Sequence, residues 1–569
     1  MILQHAKDMT ANFGSKNIKD CVITVPSHFT YHERKALYTA ADIAELRVLT
    51  LIEENTAAAL HYSMDRVYDT PHNVIFYNMG ASSVQVTITS FSSYTVKEGG
   101  KNKTIGHYEV IGKGWNRSLG GFTFDVKLAE LLADRFNVVW NNKKNKGGGE
   151  AKDVRNFIRP MTRLRNEAVK VKEVLSANNE YPVKLEQLHD DTDLSTKITR
   201  ADFEAYCADV FASVTEPIEQ ALRMANISLD SVHAVELLGG GVRMPKVKKL
   251  LEYYFKVSKL EVGHHMNGDE AMALGAAFRA ANLSTSFKVR KVGQSDINNF
   301  GVSIHLETLP SEEEVATGGG FLNFFAKKTA PKAAAPLGDG EAEKKWTKDA
   351  EIFPQKLTLS SKLRTVTFPY DKDIACKIEY TNPDALPAGT DSTIALFNIT
   401  GITKFATDAL QKNASVPKVH LSFSLDSDGV VSLVKAEATA EVYIPPASEA
   451  DAAAVNSTAS AESNSTASNS TATNSTSKDK KAKADDKKSK DAAKTDNILR
   501  KTLSVTENFS ATNPSQWSHQ NIVEARLRLR ALQLADDARK AKEAALNELE
   551  AYIYKVRLGF QLEFTLCYY

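Results

Sequence analysis

Residues Val74–Ile88 read VIFYNMGASSVQVTI, and this stretch is the one that decides the fold class. Two runs of β-branched and aromatic residues flank a turn of small residues, Gly80–Ser83, so the pattern predicts two strands joined by a tight turn. Small-residue turns after strands expose backbone N–H groups, which together bind anions such as phosphate. An acid that holds a metal ion or orients a water usually precedes such a turn, but here Asn78 occupies that position. The stretch therefore raises the question of whether the chain hydrolyses a nucleotide, only binds one, or does neither.

Strand-like and helix-like segments alternate on both sides of this hairpin. Buried strands are predicted at VITVP (22–26), VLTLI (48–52) and AVELL (234–238), and helices at HERKALYTAADIA (32–44) and TAAALHYSM (56–64). Such alternation is typical of an α/β domain, which we assign to residues 1–286.

The rest of the chain divides by composition and periodicity. Period-two alternation broken by DSDG and TNPD turns predicts an antiparallel β domain, and Ala, Leu, Glu, Lys and Arg at helical spacing predict a helix near the carboxyl end. The predicted segments are a linker at 287–300, the β domain at 301–445 with an insertion at about 311–345 (Gly, Pro, Ala and Lys rich from 318), a disordered low-complexity linker at 446–498, the helical segment at 499–557 and an off-pattern tail at 558–569.

Bulk composition excludes several classes of function. The 569 residues suffice for roughly three to four domains, and 71 basic side chains balance 70 acidic ones, so charge predicts no nucleic-acid or membrane-surface partner. The cysteines form no CxxC or Cys/His pattern, which argues against a zinc site and against a disulfide framework; they are Cys21, Cys207, Cys376 and Cys567. Neither a membrane span nor a signal peptide is recognisable.

Asn-x-Ser/Thr triplets point to a secretory compartment. Four of them fall within a Ser/Ala-rich tract at 456–476, where the alternative is a low-complexity tract without glycans. The candidate glycosylation sites are Asn102, Asn116, Asn226, Asn282, Asn398, Asn413, Asn456, Asn464, Asn469, Asn474 and Asn508.

Two further small-residue turns follow strand-like segments in the α/β region. They are SLGGFTFD (118–125) and LLGGGVRMP (237–245). A single turn of this kind is more often only a tight turn, but three in one domain favour a nucleotide cleft between two lobes. Arg243 could stack on a base through its guanidinium plane. Lys172 and Ser176 lie four residues apart on one predicted helix face, where ordinary solvation is the alternative.

Six segments of the α/β region, in their order along the chain, resemble the ATPase domain of the 70-kDa heat-shock chaperones. They are VITVPSHFTYHERKAL, VLTLIEENTAAALHY, LGGFTFD, RLRNEAVKVKEVLSAN, VELLGGGVRMPKVKKLL and NGDEAMALGAAFRAANL. LFNITGI and VPKVHLSFSLDSDGVVSLVKAEA are similar to the family's peptide-binding β sandwich. The resemblance covers residues 1–310 and 345–445. It implies an incomplete actin-like α/β ATPase domain, a β-sandwich substrate-binding domain and the start of a C-terminal helical lid.

Within the family, VLSAN, LHDDTDL, ANLSTSFKV and AALNELEAYIY resemble the large endoplasmic-reticulum branch, with the cytosolic 110-kDa branch as the alternative. For the intact protein, the resemblance implies a lumenal chaperone that binds ATP or ADP with Mg²⁺, holds unfolded polypeptides and acts as a nucleotide-exchange factor for the lumenal 70-kDa chaperone.

The resemblance also implies the nucleotide contacts. Gly80, Ala81, Ser82 and Ser83 match a phosphate loop, and Gly239, Gly240, Gly241 and Arg243 match an adenosine loop with Asp269 as the nearby acid. Lys172 and Ser176 match an adenosine-contacting helix, and Glu54 matches an acid near the metal and water network.

Departures from the family pattern predict weak or absent ATP hydrolysis. Asn78 stands where members usually carry Asp, and Glu173 stands where ATPase members carry an Arg that packs on adenine. The family's first phosphate loop and its catalytic Lys would precede residue 22, so we expect a chain truncated at both ends and assign no catalytic residue and no protein metal site. A kinase related to actin and a binding module without nucleotide are the competing hypotheses, the former made less favourable by the β domain.

Overall fold

The computed structural model describes residues 1–16, 18–98, 100–144, 152–285, 289–309, 346–442, 498–508, 514 and 517–566. The insertion at 311–345 and the acceptor-rich tract lie outside these residues.

The first part of the chain is a small βαβ unit. Its two strands are parallel, as expected for strands joined through a helix, and the helix between them begins with a capping box in which Thr30 and Glu33 bond each other's backbone N–H groups. The elements are α1 (Ile2–Gly14), β1 (Asp20–Val25), α2 (Tyr31–Ile43), β2 (Arg47–Glu53) and α3 (Glu54–Tyr62).

A six-stranded sheet follows and carries the larger core of the α/β region. Its order is β10-β5-β4-β3-β8-β9, in which β3 pairs antiparallel with β4 and parallel with β8. The strands are β3 (His72–Met79), β4 (Val84–Glu98), β5 (Lys101–Asn116), β8 (Ala234–Leu238), β9 (Val262–Gly263) and β10 (Gly293–Ser295), with the hairpin β6 (Glu180–His189) and β7 (Thr192–Thr199) standing apart. The second strand of the predicted hairpin, β4, has 15 residues, far more than the five residues VQVTI that the sequence pattern indicated.

Helices of the α/β region follow the small unit in the chain, and several of them pack on the six-stranded sheet. They are α4 (Gly121–Lys144), α5 (Ile158–Ala177), α6 (Arg200–Tyr206), α7 (Ala208–Ala212), α8 (Glu216–Ala225), α9 (Pro245–Lys256) and α10 (Ala271–Leu283). The last of them packs tightly on α3, since a Cβ added to Gly275 would lie 1.9 Å from the carbonyl oxygen of Ala57. This helix pair fixes where Glu54, the first residue of α3, stands relative to the sheet.

A buried group of charges joins the small unit, the six-stranded sheet and the predicted linker. The ammonium of Lys113, fully buried, lies 2.7 Å from Glu53 and 2.6 Å from Asp296. Arg34 reaches the other oxygen of Glu53 at 3.0 Å, and Asn299 donates to that same oxygen at 2.7 Å. Burial alone would raise the pKa of Glu53, but Lys113 and Arg34 outweigh it and hold the pKa below its ordinary value.

Part of the segment expected to be a linker is therefore structured. Residues Gly293–Ser295 add a parallel strand beside His107–Glu109 of β5, and Asp296 belongs to the buried charges. Backbone pairing and charge burial hold this segment in place, which the polar composition of 287–300 did not reveal.

Two antiparallel sheets make up the β region, and their buried faces share one core. The orders are β12-β11-β14-β15-β19 and β13-β16-β17-β18. The elements are β11 (Val302–Thr308), β12 (Thr347–Phe353), β13 (Ser360–Pro369), β14 (Ile374–Tyr380), β15 (Thr393–Thr400), α11 (Ile402–Gln411), β16 (Lys418–Leu425), β17 (Val431–Glu441), β18 (Ile498–Thr502) and β19 (Ser504–Glu507).

The end of the chain differs from the predicted boundaries. Residues 498–507 were expected at the start of the helical segment, but they form two strands. The first, β18, pairs with the edge at Glu437–Glu441 of one sheet, and the second, β19, pairs with the edge at Phe397–Thr400 of the other. The helix α12 spans His519–Leu566 and continues through most of the tail expected to break the pattern. That tail contains no Pro, and its Gly559 costs a helix only about 1 kcal/mol.

The β region and α12 both contact the small unit. Asp428 accepts hydrogen bonds from the hydroxyls of Tyr38 and Thr50, and its carbonyl accepts from Arg34 at 2.9 Å. Arg526 of α12 pairs with Asp42 at 2.6 Å. None of the described helices combines the length and apolarity that a membrane crossing needs.

Candidate nucleotide-binding site

Two of the predicted turns lie side by side because β3 and β8 are parallel neighbours. Asn78 is the register partner of Leu238, so Gly80–Ser83 and Gly239–Gly241 leave the sheet at the same edge. Gly239 has φ of +82°, and a Cβ there would lie 2.4 Å from the carbonyl oxygen of Met79. Glycine is therefore required at this position by both conformation and space.

The turn Gly80–Ser83 presents backbone N–H groups to solvent. Gly80 donates to the Ser83 carbonyl at 3.0 Å and closes the turn, whereas Ala81 and Ser82 are exposed and their N–H groups have no partner in the described part of the chain. The start of α4 supports the turn from below, since Gly121 donates to the Gly80 carbonyl at 3.0 Å. Such exposed amides suit a phosphate oxygen.

Lys172 is brought to this turn through α4. Its ammonium donates to Asp125 at 2.8 Å and to the Gly121 carbonyl at 3.2 Å. Ser176, one turn further along α5, donates instead to the carbonyl of Glu173 at 2.6 Å. The structure thus places Lys172 near the turn Gly80–Ser83, whereas the resemblance implied an adenosine contact, and among the described residues it gives Ser176 no hydrogen bond to either turn.

The third group of predicted contacts lies at the exposed rim. Arg243 forms an ion pair with Asp269, and both side chains are largely exposed. Gly239 donates to the carbonyl of Gly268 at 3.3 Å, so the segment carrying Asp269 packs against the turn at 239–241. The space above Gly240 is open, with no atom within 4 Å of an added Cβ.

Glu54 faces two amide side chains. Its Oε2 accepts from Asn78 at 3.1 Å and from Gln85 at 2.7 Å, and these two residues are cross-strand partners in the β3–β4 register. Burial raises the pKa of Glu54 above its ordinary value, hydrogen bonds from Gln85 and Asn78 oppose this in part, and the charge of Glu53 adds to it.

Sequence reasoning missed Gln85, Asp125 and Gly121. Gln85 also accepts from the Ser27 N–H at 2.7 Å, so this one side chain of β4 contacts the small unit at both Glu54 and Ser27. Its position could have been derived, because Asn78 and Gln85 stand symmetrically about the turn and a tight hairpin makes such residues opposite neighbours.

Glu54→Gln should change how stability depends on pH. The pKa of Glu54 is higher in the folded state than in the unfolded state, so its contribution to stability is fully present below the unfolded pKa and is lost as the pH rises through the folded pKa. Urea unfolding from about pH 4 to about pH 8 should therefore show the variant gaining stability over wild type as pH rises. Glu186→Gln, at an exposed carboxylate, serves as the control; an equal trend in both variants would contradict the assignment.

These features fit a nucleotide, since the turn at Gly80–Ser83 has amides without a partner among the described residues and the space above Gly240 is open. Mg²⁺ is commonly held by one or two carboxylates together with substrate phosphates, and Glu54 is a carboxylate in contact with the two residues that flank the turn. The described residues contain no cluster of His, Cys, Asp and Glu that would hold a metal ion by itself. The fold and site thus define a nucleotide-binding α/β domain joined to a β domain.

Comparison with known proteins specifies the family. The family model described as "Hsp70 protein" matches residues 1–316. "Heat shock 70 kDa protein 17" of Arabidopsis thaliana is 31% identical over 98% of this chain and 61% of its own length. "Hypoxia up-regulated protein 1" is 40% identical in Danio rerio over 55% of this chain and 31% of that protein, and 32% identical in Xenopus tropicalis over 78% and 64%.

The chain belongs to the Hsp70 family, whose members bind ATP or ADP. The resemblance stated from the sequence motifs is thereby confirmed, together with an Hsp70 ATPase domain of mixed α/β sheets. The chain spans less than two thirds of the length of the relatives it matches.

Proposed function

We propose that the chain works in the endoplasmic-reticulum lumen as a nucleotide-binding chaperone with slow or no hydrolysis, and that it promotes nucleotide exchange on the lumenal 70-kDa chaperone. The observation that carries the proposal is the pair of amides facing Glu54. Asn78 and Gln85 supply hydrogen-bond donors, but neither adds a second negative charge beside Glu54 for a cation or an attacking water. Exchange activity needs a surface that holds the partner, so it tolerates slow hydrolysis.

In the proposed binding mode, this chain's residues orient the nucleotide. The N–H groups of Ala81 and Ser82 receive phosphate oxygens, and Lys172, held by Asp125, adds positive charge beside them. Arg243 and Asp269 border the base side, and Arg243 must exchange its carboxylate partner if it is to stack on a base. The phosphates, when bound with Mg²⁺, supply the remaining oxygen ligands of the cation.

We assign client binding to the β region, with α12 as the start of a lid. Leu363 of β13 and Val434 of β17 are exposed apolar side chains on the four-stranded sheet, a surface that an unfolded segment can contact. The acceptor-rich tract supports the lumenal location, with the cytosol as the alternative.

Asn78→Asp should make nucleotide binding depend on Mg²⁺. The new carboxylate would lie within hydrogen-bond distance of Glu54, and two carboxylates this close favour a shared proton or a divalent cation. Calorimetric titration with ADP should show about a tenfold or larger gain in affinity on adding Mg²⁺, about 1.4 kcal/mol, and a smaller gain in wild type. Asn179→Asp, at an exposed asparagine, should behave as wild type; an identical Mg²⁺ effect in all three proteins would contradict the proposal.

The exchange proposal is tested with a lumenal 70-kDa chaperone loaded with fluorescent ADP. Adding this chain should accelerate release of the label, and the accelerated rate should survive Lys172→Ala if exchange depends on the protein surface rather than on nucleotide held by this chain. No acceleration by a chain that still binds clients would overturn the exchange role and leave the chaperone role standing.

A further inference from the structure

Six Asn-x-Ser/Thr triplets lie wholly within the described residues, and they differ in how their acceptor amides are placed. We propose that Asn102, Asn226 and Asn413 carry N-linked glycans in the folded protein and that Asn116, Asn282 and Asn398 do not. The inference rests on the proposed lumenal location, because the donor is a lipid-linked oligosaccharide pyrophosphate. In the transfer, Asn Nδ2 displaces the lipid pyrophosphate at the sugar carbon, gives up one proton and keeps its other N–H.

Asn102 lies near the tip of a ribbon that projects from the six-stranded sheet. The pairing of β3 with β4 ends at His72 and Phe91, and β10 covers β5 only at His107–Glu109. Strands β4 and β5 continue beyond these points as a pair, with Asn102 opposite Lys97. Asn102 is exposed, and a glycan on it would extend into solvent.

The hydroxyl residue of this triplet lies on the same side of the ribbon as the asparagine. Residues two apart on a strand share a face, so the hydroxyl-bearing Thr104 lies on the same face as Asn102. Along this ribbon the outer edges have no strand partner within the described residues, and such edges invite pairing with other chains. A bulky hydrophilic glycan at Asn102 would hinder that pairing.

Asn226 and Asn413 stand at helix ends in the left-handed conformation. Their φ angles are 56° and 52°, and their N–H groups bond back into the preceding helix, to Arg223 at 3.2 Å and to Leu410 at 3.1 Å. The backbone thus ends the helix at each residue, and both residues are exposed. Neither side-chain amide has a hydrogen bond with any described residue, so both are free to carry a sugar.

The other three acceptors are half-buried, and two of them use their amides. Asn282 lies in α10 and donates its Nδ2 to the Phe278 carbonyl at 3.1 Å. Asn116 accepts the Ser118 N–H at 2.9 Å and pairs with Val84 beside the phosphate-side turn. Asn398 lies in β15 between β14 and β19. A glycan on any of them would have to displace packed neighbours.

The test is site mapping on the full chain, expressed in a eukaryotic cell behind a cleavable secretion signal. The folded, protease-resistant fraction is treated with N-glycosidase in heavy-oxygen water, which converts each formerly glycosylated Asn to a labelled Asp that peptide mass spectrometry locates. We expect label at Asn102, Asn226 and Asn413 and none at the other three. On a gel, the variants Thr104→Ala, Ser228→Ala and Ser415→Ala should each lower the apparent mass of the band by one glycan. The variants Ser118→Ala, Ser284→Ala and Thr400→Ala should leave the apparent mass unchanged.

The acceptor-rich tract at 456–476 reports independently whether the chain entered the lumen. Label in the tract but not at Asn102, Asn226 and Asn413 would overturn the inference, as would label at all six described acceptors in the folded fraction. A third outcome separates the two proposals. If the expressed chain carries label at the expected three sites but the native protein from its host carries no glycan, the site geometry is upheld and the lumenal location is refuted.

Discussion

Replacing Lys113 by methionine is expected to lower the free energy of unfolding by about 3–5 kcal/mol. The ammonium of Lys113 is fully buried between Glu53 and Asp296, so its loss leaves two buried carboxylates with one fewer positive partner. Desolvated charges of one sign are costly unless they are paired, and Arg34 contacts only Glu53 among these two acids. Urea unfolding of the full chain measures the change.

The matched control is Lys197→Met. Lys197 forms an ion pair of the same length with Glu180, 2.7 Å, but both side chains are more than half exposed. Such surface pairs contribute about 0.2–1 kcal/mol. If the two variants lose equal stability, the buried charges do not hold the small unit, the six-stranded sheet and the linker together. Because Asp296 lies in the predicted linker, we also expect Lys113→Met to increase protease cleavage near that residue.

Gly275→Ala is expected to destabilise the α/β region by about 1–3 kcal/mol and to weaken ADP binding. The added methyl would lie 1.9 Å from a backbone carbonyl oxygen of α3, so the two helices must separate. Since α3 begins at Glu54, the shift displaces this carboxylate relative to Asn78 and Gln85. Thermal unfolding and ADP titration measure the two effects.

Gly106→Ala is the matched control, because an added Cβ at Gly106 meets no atom within 4 Å. It should leave ADP affinity unchanged. A Gly275→Ala protein with wild-type stability and affinity would show that α3 and α10 adjust without disturbing the site.

The glycine turns of the site were predictable because their chemistry is local. Gly239 must be glycine for conformational reasons that a strand followed by GGG already suggests, and the order of the motifs identified the family. The amide neighbours of Glu54 were only half predictable: Asn78 stands next to the turn, whereas Gln85 needed the hairpin register.

Features that depend on distant pairing were not predictable. Lys113 reads as one of many lysines, and only the sheet and the segment at Asp296 bury it. Residues 498–507 look like the approach to a helix, yet the open edges of two sheets recruit them as strands. Such choices depend on which partner surface is nearby, and local propensity does not contain that information.

The position of β18 and β19 has a consequence for synthesis on the ribosome. Each strand completes a different sheet, and both come after the long tract that follows β17. While the tract is being translated, the edges of β15 and β17 remain without these partners, and open edges of this kind are prone to wrong association. The ribosome must therefore add more than fifty residues after β17 before β18 and β19 are available to complete the two sheets.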